Sequence, residues 1–487
     1  ALPASATLVS MVMPTNPSFL DSPSTYAAAL HRLLSLADFE RTAGVAALIP
    51  KTDLSRMREL VRLMAHPERC APVIHVAGTK GKGSVSAMVS SILTAAGLRV
   101  GLFTSPHLHT FRERIRINGD PIDEERFGRT VSFVWPHVEE MAATGPDQCP
   151  TTFEVLTAMA FSVFRAEAVD VQVIEVGLGG RLDSTNVVDS AVAVVTSLSL
   201  DHTAILGNTL AEVAAEKAGI VKGAVPVVLA PQPSEAKAVL EATAARVGAS
   251  LSRVGTDVTY KASGGDLLGQ DLRVATAARV YDVRLPLLGA HQCENAAAAI
   301  AAVEAAGLDL PAGSVERGLG SVRWDGRFQV LTPGFRGDGT EGPTVVVDGA
   351  HNPYSAACLA GTVRECMGPT DTVLVFGCSG DKELDGMVSE LAPLASLAIV
   401  CTSRHPRALP PSRVAAAFET AGVNAIVAPS VASALEQARH EASPSGLVLV
   451  TGSLFVAAEA LQAWYGIQGE EYPEFAPYQT APGGGRP

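Results

Sequence analysis

The chain lacks the features that mark several large protein classes. No apolar run approaches the ~18 residues of a membrane span, so no membrane-embedded helix and no membrane partner is expected. Basic residues are outnumbered: 37 Lys and Arg stand against 50 Asp and Glu, a net charge of −13. A nucleic-acid binder needs Lys and Arg clustered against phosphates. Here the short basic run from Arg112 to Arg116 is broken by Glu113, which argues against nucleic acid as a main partner. Cysteine is scarce, seven residues with no Cys-x-x-Cys pair. An odd, dispersed set suits reduced thiols in a cytoplasmic protein better than a disulfide frame or a zinc site. Ala1 to Leu20 lacks the basic start and compact apolar stretch of a secretory signal. It and the glycine-rich tail, Gly469 to Pro487, are expected to be loosely ordered.

What the chain does have is Val73-Ile74-His75-Val76-Ala77, a buried-strand pattern running straight into Gly78-Thr79-Lys80-Gly81-Lys82-Gly83-Ser84. Val85 to Leu93 then has helical periodicity. A strand, a glycine loop and a helix start make an anion cradle. Backbone N–H groups turn toward phosphate oxygens, the helix N-terminus adds partial positive charge, and Lys82 adds a full one. The spacing is not a literal Walker A, because the residue six before Lys82 is Val76 rather than glycine. This compressed loop predicts binding of a nucleoside triphosphate. Ser84 reads equally well as a helix N-cap and as a phosphate contact.

At 487 residues, two or three domains are expected. Apolar strands over 99–104, 169–176, 191–198 and 225–230 alternate with helical stretches such as 210–221. Continuous apolar strands between helices predict a mostly parallel sheet covered on both faces. Ligands of such sheets bind at the carboxyl ends of the strands, so Lys82, Ser105, Glu175 and His202 should meet in one crevice. Residues 256–286 change to short strand-like pieces, a small antiparallel appendage, and 289–306 is an alanine-rich helix. A hinge is expected at 322–327. Beyond residue 344 the alternation restarts through residue 464 as a smaller Rossmann-like α/β domain without a Gly-x-Gly-x-x-Gly fingerprint. The expected division is 1–325 for a nucleotide-binding domain and 326–487 for the second.

Glu175 closes a Val/Ile-rich strand, where a carboxylate is costly unless it faces a cation or the crevice. It stands where a magnesium-directing acid is expected, the alternative being a cap on the Gly177–Gly180 turn. His202, on a neighbouring strand end, is a candidate metal ligand. Lys217 would by spacing alone be an exposed helix lysine. Asp348-Gly349-Ala350-His351-Asn352-Pro353 ends a buried strand in a polar turn, with Asn352 a candidate N-cap.

These segments together resemble the folylpolyglutamate synthase and dihydrofolate synthase family. The phosphate loop, Thr104-Ser105-Pro106-His107-Leu108 with Glu113 to Gly119, and Glu175 to Asn186 match its motifs. So do Asp201-His202, Glu216 to Ile220, His291-Gln292 with Asn295, Gly326-Arg327 and Asp348 to Pro353, all in the family's order between about residues 40 and 455. More distantly the layout is similar to the Mur peptidoglycan ligases. The resemblance implies ATP held by Gly78 to Ser84 with Asn295, Arg327, Asp348 and His351, and Mg²⁺ held by Ser105 and Glu175. It implies a second ion, K⁺ or Mg²⁺, near His202, and it places Lys217 where the family carries a carbamylated lysine, with Lys82, Lys217, Asp348 and His351 serving catalysis. Phe153, Glu154, Arg181, Asp183, Ser184 and Asn186 match the pterin pocket. Asp381, Lys382 and Ser453 match positions near the incoming glutamate. Three departures stand out: Lys80 replaces a more usual Asn, an insertion spans 335–342, and Trp324-Asp325-Gly326 stands where Pro-Gly is common.

The activity this implies is ATP-dependent addition of L-glutamate to dihydropteroate or a reduced folate through an acyl phosphate. It is expected of a cytoplasmic monomer with small-molecule partners only. A Mur-type ligase for UDP-linked peptides is the competing enzyme reading, disfavoured by the 177–186 signature. A nucleotide-switched binding protein is the competing class, disfavoured by the absence of an Asn-Lys-x-Asp guanine motif.

Overall fold

The computed structural model describes residues 25–38, 53–332 and 342–470. The expectations for residues 1–20, for 335–341 and for the tail beyond Glu470 lie outside the described residues. The first half is built on an eight-stranded sheet. Its order across the sheet is Asp120–Pro121, Ile115–Ile117, Val100–Phe103, Val171–Glu175, Val73–Ala77, Ser190–Val195, Val227–Leu229 and Leu251–Arg253. The first two strands are antiparallel to their neighbours and the rest are parallel. The central strands Val73–Ala77 and Val171–Glu175 are buried at every position, as a sheet with both faces covered requires.

One face is packed by the helices Lys82–Ala95, Ala290–Ala305 and Ser314–Ser321, the other by Tyr26–Leu34, Ser55–Leu63, Glu124–Thr144 and Thr152–Ala166. Alanines fill the middle helix: Ala296 to Ala299 are all fully buried, so it lies close against its neighbours. Capping follows local chemistry. Thr151 with Glu154 and Thr209 with Glu212 each form a reciprocal capping box. The expected appendage is present as a three-stranded antiparallel sheet, Thr259–Asp266, Gly269–Ala275 and Val280–Leu285.

The second half is a six-stranded sheet ordered Gln329–Thr332, Thr344–Val347, Leu447–Thr451, Thr372–Phe376, Ala395–Val400 and Ala425–Val427. Its first strand is antiparallel and the others are parallel. Helices cover both faces. The α/β class and parallel-rich sheets read from the sequence are therefore what the chain adopts, with strand ends shifted by up to three residues.

The two halves meet at the connecting segment and again where the chain returns past the last helix. The connection at 322–328 is pinned by Asp348, whose carboxylate accepts the N–H of Phe328 at 2.8 Å, while the Gly349 N–H reaches the Gly326 carbonyl at 2.9 Å. Past the last helix, Leu454–Tyr465, the chain returns to the first half. There the Glu470 carboxylate accepts from the Phe111 N–H at 3.0 Å and from the Tyr26 hydroxyl, and Gln462 meets His109 at 3.2 Å. No described helix is long and apolar enough to cross a membrane.

The crossing of Ser314–Ser321 over Lys82–Ala95 depends on Gly318. A Cβ there would lie 2.4 Å from the Ile92 Cα, and Ser91 already donates its hydroxyl to the Gly318 carbonyl at 2.7 Å. Gly318→Ala is therefore expected to cost about 2 kcal/mol by forcing the helices apart. The urea midpoint measures it, and an unchanged midpoint would show that the crossing spreads freely.

Candidate active site

The phosphate loop is held open by its own strand neighbour. A Cβ on Gly78 would fall 1.8 Å from the Thr196 hydroxyl, so only glycine lets the loop leave the strand at this point. The N–H groups of Thr79 and Lys80 both reach the Ser197 carbonyl at 3.1 Å, and the Thr79 hydroxyl donates to the Ser199 carbonyl at 3.1 Å. The helix Lys82–Ala95 then starts from Gly81 with no side-chain cap and no acid in its first turn. Its positive end is left for an anion. Lys82 folds back on the loop, 3.2 Å from the Gly78 carbonyl. Ser84 is buried in the first turn and is not the cap, since Gly81 occupies that position. Asn295 sits directly over the loop, where its amide would meet a Cβ on Gly81 at 2.4 Å.

Glu175 lies at the end of its strand, only 4 % exposed. Burial pushes its carboxyl up to about 7, against the opposing pull of Lys82, the Ser105 N–H, Arg327 and Arg114. That N–H lies 3.1 Å away, and the bond from Ser105 to Pro106 is cis. The loop carrying Ser105 is organised by Glu113, whose carboxylate collects the N–H groups of Leu108, His109 and Thr110 at 2.8–2.9 Å. A lone buried carboxylate beside a serine is an oxygen-donor set suited to Mg²⁺, which completes its shell with water and substrate phosphates. Among the described residues, no group of three His, Cys, Asp or Glu is arranged to hold a metal alone.

Lys217 is not the exposed helix lysine that spacing suggests; it is 3 % exposed. Gly180 and Arg181 pack on its backbone, with the Arg181 N–H 2.7 Å from the Glu216 carbonyl, and this seals it in. Burial lowers its ammonium to about 7; Lys82 acts in the same sense, and Asp201 and Asp183 oppose it. His202 begins a short helical turn with a left-handed backbone and lies 3.9 Å from Asp201.

The group that sequence reasoning missed is Asp201. Its carboxylate takes Lys80 at 2.8 Å and, from the second half, Lys382 at 3.5 Å and the Asn352 amide at 3.2 Å. Lys80 also meets the His351 ring at 3.3 Å. Burial raises the Asp201 carboxyl, but the two ammoniums outweigh it and hold the group far below the usual range. Burial and the nearby Lys80 and Lys382 keep the His351 imidazole low, at about 3. The signal was present as an Asp that follows a strand end, paired with a lysine where Asn is usual. Nothing in the spacing said that the two would touch.

Other candidates lie at the edges. Arg327 donates to the Gly326 carbonyl at 2.9 Å, and the Asp348 carboxylate accepts the Ala350 N–H at 2.8 Å. Phe153 packs against Gly177 and Phe103. Glu154 is spent on its capping box and on Arg56 at 3.2 Å. Asp183 caps the turn Ser184–Val187 and holds the Leu178 N–H at 2.9 Å, and the Asn186 amide ties the Arg181 and Gly219 carbonyls. Arg181 pairs with Glu216 at 2.8 Å. Asp381 pairs with Arg407 at 3.2 Å, and Ser453 caps the last helix, its hydroxyl accepting from the Phe455 N–H at 3.1 Å.

A nucleotide loop in one α/β half faced by charged groups of a second is the plan of a two-lobed ATP-dependent ligase. Residues 76–303 match the Mur ligase middle domain, and residues 326–454 match the Mur ligase glutamate ligase domain. The Bacillus subtilis dihydrofolate synthase/folylpolyglutamate synthase is 35 % identical over 415 residues, covering 84 % of this chain and 94 % of that protein. A structure of the Mycobacterium tuberculosis folylpolyglutamate synthase complexed with ADP and AMPPCP superposes with a TM-score of 0.80 at 33 % identity, over 91 % of this chain and all of that one. A probable bifunctional folylpolyglutamate synthase/dihydropteroate synthase of Haloferax volcanii is 37 % identical over 418 residues, 85 % of this chain, which spans about half (48 %) of that longer protein. The chain belongs to the folylpolyglutamate synthase/dihydrofolate synthase family.

Asp201→Asn leaves Lys80 and Lys382 facing each other without a counter-charge and is expected to cost about 3 kcal/mol. Because the native carboxyl lies below its ordinary 3.8, the ionised group stabilises the fold fully above that pH and loses the effect only as acid protonates it. The gap between wild type and variant in urea unfolding should hold constant from about pH 5 to 8 and shrink below about pH 4. A variant as stable as wild type at pH 7 would remove Asp201 as the joint.

Proposed function

We propose that the chain is an ATP-dependent ligase adding L-glutamate to a reduced folate, and also to dihydropteroate. The observation that carries this reading is the pairing of an uncapped phosphate loop with the buried Glu175 beside Ser105, faced by Arg327, Asp348 and His351 from the hinge and second half. A free carboxylate does not acylate an amine at neutral pH, because oxide is a poor leaving group. Transfer of the γ-phosphoryl group of ATP to the substrate carboxylate makes an acyl phosphate and ADP. The glutamate amine then attacks the acyl carbon, and phosphate leaves from the tetrahedral adduct.

No residue need act as a covalent nucleophile; the chain supplies alignment and charge. Lys82 and the helix end neutralise the phosphates, Asn295 stands over the loop, and Arg327 with His351 approaches from the far side. His351 stays a neutral hydrogen-bonding group, its Nδ1 set on the Gly349 carbonyl at 2.8 Å. Ser105 and Glu175 would hold Mg²⁺, which screens phosphate charge when bound. His202 would attend a second ion, Mg²⁺ or K⁺. Phe153, Asp183 and Ser184 would border the pterin, and Lys382 with Asp381 and Ser453 the incoming glutamate. Both lobes come from one chain, which fits a monomer, and the free thiols fit a cytoplasmic site.

Lys217 would carry a carbamate. Its lowered basicity leaves much of the amine uncharged at neutral pH, and the neutral amine adds to CO₂, releasing a proton. The product is an anion in a site dominated by Lys82.

ADP release should require both a pteridine carboxylate and L-glutamate; release indifferent to folate would overturn the reading. Lys82→Ala and Glu175→Gln are each expected to lower turnover by at least about a thousandfold with the fold intact by circular dichroism. Near-normal activity in either would refute the assigned roles. Removing CO₂ from the buffer should depress activity and bicarbonate should restore it, with a carbamate carbon visible by ¹³C NMR from labelled CO₂. A Lys217→Ala variant showing the same signal would refute the modification.

A further inference from the structure

A cavity of about 630 Å³ opens on the first half, sharing only Arg181 and Asn186 with the groups named so far. One wall is the helix Ser55–Leu63 with the turn after it; the other is the segment from Arg181 to Asp189. Both walls run the length of the sheet. Arg56 meets Glu154 at the start of Thr152–Ala166, whose Phe153 touches Gly177 just past Glu175, so this helix begins at the catalytic end. Glu68 lies at the opposite end, its carbonyl accepting from Gln172 at 3.0 Å near the start of Val171–Glu175. Arg181 likewise sits on the Lys217 helix, while Asp189 directly precedes the strand Ser190–Val195. With five strand residues between the ends, the trough is about 16 Å long.

Its charge is opposite to that of the whole chain. Arg58, Arg62, Arg69, Arg181 and Lys222 line it against three carboxylates, Glu59, Glu68 and Asp189, in a protein of net charge −13. Arg58 is exposed, and among the described residues its guanidinium makes no hydrogen bond or ion pair. Arg62 is tied only to its helix neighbour Glu59 at 2.6 Å, an exposed pair that exchanges readily with a better anion, and the exposed Arg69 side chain lies 3.3 Å from the buried Glu68 carboxylate. Along the helix axis Arg58 and Arg62 are about 6 Å apart.

We propose that this trough binds the internal units of a γ-linked oligoglutamate, the tail of a folate already carrying several glutamates. The inference rests on the ligase reading above. When the terminal carboxylate of such a substrate lies at the phosphate loop, the earlier units must lead away from it. Arg181, against the Lys217 helix, lines the end of the trough nearer the carboxyl ends of the strands, and the walls run from there toward the opposite end of the sheet. Each internal unit keeps one free α-carboxylate, and an extended γ-linked unit, five backbone bonds long, repeats at about 6 Å. That repeat matches the Arg58 to Arg62 spacing, so successive carboxylates meet successive guanidiniums.

The probe is tetra-γ-L-glutamate without a pterin, titrated calorimetrically into the full chain at low and high salt. Binding is expected, weakened by salt and weakened at least tenfold in Arg58→Glu/Arg69→Glu, whose altered side chains are both exposed in wild type. Absence of binding, or equal binding of tetra-α-L-glutamate, would overturn the proposal. In turnover, the same variant should raise KM for a tetraglutamyl folate at least fivefold while the monoglutamate KM moves less than twofold, and Arg58→Lys should stay near wild type. An equal shift for both substrates, or none, would overturn it. A chain that binds the tetramer but turns over no folate overturns the ligase reading alone; one that turns over monoglutamate but shows no tail effect overturns the trough alone.

Discussion

Much of the site depends on one carboxylate. Asp201 stands at the end of a parallel strand, where the sheet has stopped supplying hydrogen-bond partners, and gathers Lys80 from the phosphate loop and Lys382 and Asn352 from the second half. The three cleft-facing groups come from separate stretches of chain and repel or ignore one another without it. With it, the Lys80 ammonium is held at Asp201, while Lys82 stays folded on the loop at the Gly78 carbonyl. The same contact sets the His351 ring beside Lys80, so the position of the second half is read out at the glycine-lysine loop.

Burial accounts for most of the remaining chemistry. Glu175 and Lys217 are opposite in charge, yet burial moves both toward neutrality near pH 7. Among the described residues, neither forms an ion pair.

The architecture was legible because its signals are local. Apolar runs such as Val345 to Val347 and turn residues such as Asn352-Pro353 declare a strand and a capped helix within a few positions, and the structure gives Asn352 as the cap it was expected to be. Ser84 was ambiguous for the same reason: one turn of helix decides whether a serine precedes or follows the cap. Lys217 misled because its helix is short and alanine-rich. Its burial comes from Gly180 and Arg181, some 36 residues earlier, and no periodicity reports a neighbour that distant. The Asp201 contacts were illegible for the same reason, since a charge says what it needs but not what will arrive. The resemblance to a family supplied the residues, and the geometry supplied their partners. It also shows Glu154, Asp183 and Asn186 engaged in holding backbone.

The return of the chain to the Tyr26 and Phe111 region has a mechanical meaning. The second half is attached to the first at the 322–328 connection and again at Glu470, on the far side of its last helix. The Asp201 contacts to Lys382 and Asn352 hold the lobe at a third point; once they part, the two remaining attachments leave one easy motion, rotation about the line joining them, and remove the freedom to slide or twist off that axis. Opening and closing over a nucleotide then becomes a door's swing, and the distance from that axis to Lys382 and His351 sets how far each travels per degree.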